Sequence, residues 1–203
     1  MTGARAWYGE RLADAYDRAN PSTRHGLLPA AAWLTGGVPD GGTLLDVGCG
    51  TGRDLPVLAR KGISVIGVDI ALPMLRLARR HHDALLCADL TRLPVRDSVA
   101  DAVWCVAAWV HVPHRDLPAA AAELSRVLRP GGHAVIGVQR GSGERVELDP
   151  YLGEVPRLMV RYAEGEVIAA LDDAGLRALP FATDDAELRA WVTTLVVKPH
   201  GTA

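Results

Sequence analysis

No stretch of about 18 consecutive apolar residues occurs in the chain, so nothing in it predicts a membrane-spanning helix. Basic runs are also missing. The 22 Lys and Arg stand against 24 Asp and Glu, for a formal net charge of −2, which argues against a nucleic-acid footprint. The opening residues, Met1 to Tyr8, lack the apolar centre of a signal peptide, and the chain turns acidic at Glu10. Cysteine is sparse and odd in number. Cys49, Cys87 and Cys105 are the three, two of them in apolar runs, which argues against a disulfide framework or a zinc site and makes a reducing cytoplasm the default compartment. No internal repeat, low-complexity tract or inserted domain is visible. What is present is an ordinary globular composition, 49% hydrophobic and 23% charged, over 203 residues, a length that suits one domain with a sizeable core.

The chain is organised around Thr43-Leu44-Leu45-Asp46-Val47-Gly48-Cys49-Gly50-Thr51-Gly52. Leu44, Leu45 and Val47 surround an acid and run into three glycines at alternate positions, after which Leu55, Leu58 and Ala59 recur at helical spacing. This pattern predicts a buried strand, a tight turn and a helix. Glycine lets the turn adopt backbone angles that a side chain forbids and lets a ligand lie against the main chain. A dinucleotide-binding G-x-G-x-x-G fails by one residue, since Arg53 stands at its last position, and no phosphate-binding G-x-x-x-x-G-K-[ST] is present.

The stretch resembles the first motif of class I S-adenosylmethionine (SAM)-dependent methyltransferases, in which D-x-G-x-G-x-G is common. The resemblance implies that Asp46, Gly48 and Gly50 help to fit the amino-acid end and ribose of SAM. Ser64-Val65-Ile66-Gly67-Val68-Asp69 reads as the second strand, with Asp69 17 residues beyond Gly52. An acid at that strand end lies beside the glycine turn and can accept hydrogen bonds from both ribose hydroxyls. In the family, the next residue and an apolar residue near the following helix start flank the adenine. Ile70 and Met74 match those places, with core filler as the alternative for Met74. Asp89-Leu90, after the third strand Ala84–Cys87, matches the family's pair beside the adenine amino group and ring nitrogen. Leu93-Pro94-Val95-Arg96-Asp97 resembles its L-P-F-x-D, with valine in place of phenylalanine.

Asp101 to Pro113 reads as the fourth strand and its exit, apolar enough to be buried on both faces of a parallel sheet. Val106 to His111 then fall where the methyl group should be. Glu123–Arg129 reads as a helix closed by Pro130-Gly131-Gly132, followed by a fifth strand, His133–Val138. Arg126 to Gly132, R-V-L-R-P-G-G, is typical of the family and is its most specific motif here. Two helices, about 7–19 and 24–35, precede the glycine unit. Residues 140–163 read as a loop, followed by a helix over Glu166–Ala174 and two strands, Leu176–Phe181 and Trp191–Lys198.

The fold expected is α/β: a Rossmann-like, doubly wound, seven-stranded sheet, mostly parallel with an antiparallel last strand and helices on both faces. One domain covers 1–203, with N-terminal lid helices over 1–36 and a core over 43–198. The resemblance implies methyl transfer from SAM, which becomes S-adenosylhomocysteine (SAH), to an oxygen, nitrogen or carbon nucleophile of a small molecule. Two other readings stand beside it, a non-methylating SAM enzyme and a non-catalytic scaffold of the same fold. Tyr8 and Tyr16 belong to the lid, Tyr16-Asp17 matching the family's Tyr-Asp, or else are core anchors. Tyr16 joins the cofactor side, as does Val106. His111 is the candidate base, with a structural role as its alternative, and His114 is second choice. Tyr8, Trp109, Arg161 and Tyr162 are the candidate substrate-side residues, aromatic walls and a cation able to hold a carboxylate. No metal, nucleic acid or membrane partner is expected, and the chain is a monomer or homodimer.

Overall fold

The computed structural model describes residues 7–181 and 187–200. Residues 1–6 of the expected lid and the other terminal residues of the expected 1–203 domain lie outside them.

Seven strands form one sheet: β1 (Thr43–Val47), β2 (Ser64–Asp69), β3 (Leu85–Cys87), β4 (Ala100–Val106), β5 (Leu128–Gln139), β8 (Arg177–Leu179) and β9 (Trp191–Val197), in the order β3-β2-β1-β4-β5-β9-β8. β1 to β5 are mutually parallel, and β9 runs antiparallel to both β5 and β8. Every residue of β4 is buried, which accounts for its unbroken apolar character. The strand order reverses at β1, where the chain steps outward through β2 and β3 and then returns on the far side as β4. Crevices in such sheets open at the carboxyl ends of the strands beside that reversal.

Among the described residues six helices surround the sheet: α1 (Glu10–Ala19), α2 (Leu28–Gly36), α3 (Leu55–Leu58), α4 (Leu72–Ala78), α5 (Leu117–Val127) and α6 (Glu164–Asp173). α2 to α5 each open on Leu-Pro, with proline in the first turn, where its missing N–H costs nothing. One sheet face packs on Leu117, Leu124, Val167 and Leu171 of α5 and α6. The other packs on Leu34, Leu55 and Leu58 of α2 and α3 around Trp104. α1 lies against α4 through Leu12, Ala13 and Met74, and Arg80 of the turn after α4 pairs with Asp17 at 2.7 Å.

Three expectations are corrected. The helix after the glycines is a single turn. β5 begins at Leu128 instead of His133, because Arg129–Gly132 form an irregularity within the strand: Ala100 pairs with Leu128, but Ala102 pairs with His133. The expected 140–163 loop contains a hairpin, β6 (Glu144–Leu148) with β7 (Pro156–Val160). Its turn is held by one carboxylate, Asp149, which accepts the N–H groups of Tyr151, Leu152, Glu154 and Val155 at 2.6–3.0 Å. Burial raises the Asp149 pKa, but those four donors outweigh it and hold the group well below the usual carboxylate range.

Candidate functional site

A cavity of about 360 Å³ opens at the carboxyl ends of β1, β2 and β4, roofed by α1 and the β6–β7 hairpin. That volume lies within the roughly 300–1,000 Å³ of small-molecule sites. The glycine loop forms its floor. Gly48, Gly50 and Gly52 all have positive φ, at +79°, +56° and +81°. A Cβ on Gly48 would stand 2.3 Å from that of Ala108, and one on Gly52 would meet Leu55 and Ala78, so these two are needed for packing. A Cβ on Gly50 would meet nothing closer than the Tyr16 ring at 3.9 Å, which leaves bare backbone facing the cavity.

Asp69 is held at the end of β2 by two backbone donors, Gly50 N–H to Oδ2 at 2.9 Å and Ala71 N–H to Oδ1 at 2.8 Å. A carboxylate offers about four lone-pair sites, so two remain for a ligand's hydroxyls. Burial raises its pKa, partly offset by the N–H groups around it. Ile70, Met74, Asp89 and Leu90 lie on the same wall. Oδ1 of Asp89 is occupied by the N–H and hydroxyl of Thr91, at 2.9 and 2.7 Å. Asp46 does not line the cavity. It is buried beneath the loop, where Oδ2 has no partner among the described residues and burial, with the field of Asp54, raises its pKa well above the carboxylate norm.

The opposite wall is a chain of aromatic rings and cations. Tyr8, Tyr16 and Tyr151 pack edge to face, with centroids 6.1 and 5.3 Å apart. At one end Arg53 lies over the Tyr16 ring and donates to Asn20 Oδ1 at 3.2 Å. At the other, Arg157 lies over the rings of Tyr8 and Tyr151, at 5.5 and 5.9 Å, and donates to the Tyr8 hydroxyl. That hydroxyl also meets His111 Nε2 at 3.2 Å, while Nδ1 lies 2.8 Å from the Leu158 carbonyl. A carbonyl only accepts, so Nδ1 carries the proton and the Nε2 lone pair receives the Tyr8 O–H. Burial, reinforced by Arg157, lowers the His111 pKa to about 4, and the imidazole is neutral at pH 7. Both its nitrogens are engaged. Ala107, with φ +61°, makes the sharp turn out of β4 that brings Val110 and His111 onto the cavity.

Several sequence-predicted residues stand elsewhere. Val106 covers Gly137, in the core and off the cavity wall. Trp109 is 2% exposed and packs in the α5 face of the core. The Tyr162 ring is fully buried, and its hydroxyl donates to the Val112 carbonyl. Arg161 is paired with Glu147 at 2.8 Å, and His114 with Glu166. Conversely, Asn20, Arg24, Arg53, Gln139, Tyr151 and Arg157 line the cavity without having been singled out as site residues. Arg53 carried a signal, a cation directly after the third glycine; the others had none.

The family model described as a methyltransferase domain matches residues 45–136, from β1 into β5. Over these residues the chain is similar to the class I SAM-dependent methyltransferase family. It is 32% identical to the tRNA (carboxymethyluridine(34)-5-O)-methyltransferase of Arabidopsis thaliana, over 70% of this chain and 35% of that protein. It is 30% identical to the malonyl-[acyl-carrier protein] O-methyltransferase of Herminiimonas arsenicoxydans, over 75% of this chain and 61% of that one. The chain thus spans less than two thirds of the length of these curated relatives. The fold matches that of the CcbJ methyltransferase of Streptomyces caelestis, with a TM-score of 0.74, 17% identity, and 96% and 99% of the two chains covered. Among the described residues, no helix is long and apolar enough to cross a membrane.

Proposed function

We propose that the chain transfers the methyl group of SAM to a small-molecule acceptor bound in the cavity. The observation that carries this reading is the continuity of one cavity from the glycine loop and strand-end acids to the Tyr8–His111–Arg157 cluster. A nucleoside and a second small molecule can lie there end to end.

The residues fit SAM. Gly50 leaves room that a Cβ would fill, and Asp69 keeps two acceptor positions for the ribose. Ile70 and Met74 supply apolar surface for the adenine, and Asp89 and Leu90 its polar edge. Arg53 supplies a cation for the carboxylate of the amino-acid end. Asp46 supports this loop from beneath, with Oδ2 unpartnered among the described residues. Tyr16 and α1 close over this half as a lid. When bound, SAM supplies an electrophilic methyl on a sulfonium. The protein's part is then alignment, which alone is worth up to roughly 7–11 kcal/mol of barrier. His111, neutral and hydrogen-bonded at both nitrogens, orients Tyr8 instead of taking a proton. Its catalytic part is to fix the acceptor end of the cavity.

A small-molecule acceptor is supported by the roofed cavity and by the near balance of 22 basic and 24 acidic residues. The test is mass spectrometry of the purified chain incubated with SAM and a panel of phenols, amines and carboxylic acids. An acceptor heavier by one methyl group, formed together with SAH, is the expected result. SAM bound but unconsumed, with an isomerised compound of unchanged mass, would overturn it in favour of non-methylating chemistry. No SAM binding would favour a scaffold.

A further inference from the structure

Arg157 is only 6% exposed, yet among the described residues no carboxylate lies within ion-pair distance of it. A buried guanidinium left without a counter-ion costs several kcal/mol. The faces of Tyr8 and Tyr151 offset part of that, about 2 kcal/mol at best. The one acid positioned to neutralise it turns away. Glu147 is the cross-strand partner of Arg157 in the hairpin, but both its oxygens are taken by Arg161, at 2.8 and 3.3 Å. Of the five donors on the fork, one NH1 hydrogen goes to Tyr8, and Nε is buried with no partner among the described residues. The side chain forms part of the cavity wall. Tyr8, whose hydroxyl is itself held by His111, fixes one edge of the fork, and the rings of Tyr8 and Tyr151 restrict its plane.

We infer that Arg157 is the receptor for a carboxylate on the acceptor, so that the substrates of this site are small organic acids. The inference rests on the methyltransferase reading for the identity of the acceptor, though not for the anion site itself. A planar fork with free donors, held against aromatic faces and deprived of protein counter-ions, matches a carboxylate in shape and charge. The anionic end of SAM does not need this cation, because Arg53 already stands beside the glycine loop at the other end of the tyrosine chain. Arg53 and Arg157, at the two ends of the tyrosine chain, serve two carboxylates, one on the donor and one on the acceptor.

The experiment compares matched acids and amides. In protein saturated with SAH, benzoate and hexanoate should raise the melting temperature in a concentration-dependent manner, whereas benzamide and hexanamide should not. Arg157→Gln should weaken the response to the acids roughly 10- to 100-fold, the worth of charge-assisted hydrogen bonds, while SAH affinity stays unchanged. Arg157→Lys, which keeps the charge without the fork, should fall between the two and serves if the glutamine variant does not fold. Equal responses to acids and amides, no response to any acid, or acid responses unaltered by either variant would overturn the proposal. So would a loss of SAH binding with acid binding intact, which would assign Arg157 to the donor. Failure of SAH to bind the wild-type chain would sink the methyltransferase reading alone, because the acid and amide comparison reads equally well on unliganded protein.

Discussion

Arg157 and Tyr8 stand 149 positions apart in sequence and share a buried hydrogen bond, the guanidinium donating to the phenol oxygen. The same hydroxyl donates to His111, so one oxygen satisfies two buried groups from distant parts of the chain. Removing it leaves both short of a partner. Tyr8→Phe should therefore lower stability by about 1–3 kcal/mol in urea denaturation. Combined with His111→Phe the losses should not add, since the pair shares one bond. Additive losses would mean that the bond is not formed in solution.

The glycine loop separates a packing role from a binding role. Gly48→Ala forces a Cβ into Ala108 at positive φ and should cost about 3 kcal/mol or more. Gly50→Ala meets open space and should cost only about 1 kcal/mol of stability. Its methyl group projects into the cavity, and SAH affinity measured by calorimetry should fall roughly tenfold or more, about 1.4 kcal/mol. Full SAH affinity in Gly50→Ala would show that the ligand does not lie against this backbone.

His111 sets an acid limit on stability. An unfolded histidine titrates near 6.5, as a reference value, whereas the folded imidazole is held at about 4 by burial and Arg157. Between those values the unfolded chain binds the extra proton, so stability falls as pH drops through that window and the loss is complete below it. The amount is on the order of 3 kcal/mol. The stability difference between wild type and His111→Gln, followed from pH 7 to 4, should shrink by that amount. A difference that stays constant would mean that the imidazole is not kept neutral.

Arg161 and Tyr162 should affect stability without affecting SAH binding. Arg161→Gln removes a half-exposed ion pair with Glu147 and should cost less than about 1 kcal/mol. It also frees Glu147 to turn toward its cross-strand neighbour Arg157, so any change in acid binding should be a weakening. Tyr162→Phe loses the bond to the Val112 carbonyl and should cost about 1 kcal/mol or more, with SAH affinity unaltered. Both are measured by denaturation beside calorimetry, and a lost SAH affinity in Tyr162→Phe would return that residue to the site.

The strand-end wall of the cavity was legible in the sequence because a parallel sheet gathers strand ends. Asp69, Ile70, Met74, Asp89 and Leu90 each follow a recognisable apolar run and come to one wall. The wall that carries Arg157 was not legible, because its hairpin has no apolar alternation to announce it. β6 reads Glu144-Arg145-Val146-Glu147-Leu148, with Val146 71% exposed and Leu148 62% exposed. Its pairing depends on a turn organised by Asp149, which no local periodicity reveals. The chosen cation, Arg161, lies one residue past the end of β7. The alternation that faces Arg157 and Met159 to the cavity stops before reaching it. Trp109 misled for a related reason. The turn that Ala107 makes sends the large ring into the core and the imidazole two residues on toward the cavity.

The bond between Tyr8 and Arg157 also bears on the order in which the site is built. The half proposed for the nucleoside has its floor and strand-end wall between Gly48 and Leu90, a span whose contacts can form early in refolding, before Tyr16 closes over it. The acid-binding half needs a segment before the first strand to meet one near the end of the chain, and contacts of such separation form late. During refolding the chain should therefore gain affinity for SAH before it gains affinity for organic acids. The same order holds during synthesis, where the first half of the site waits for the hairpin to emerge.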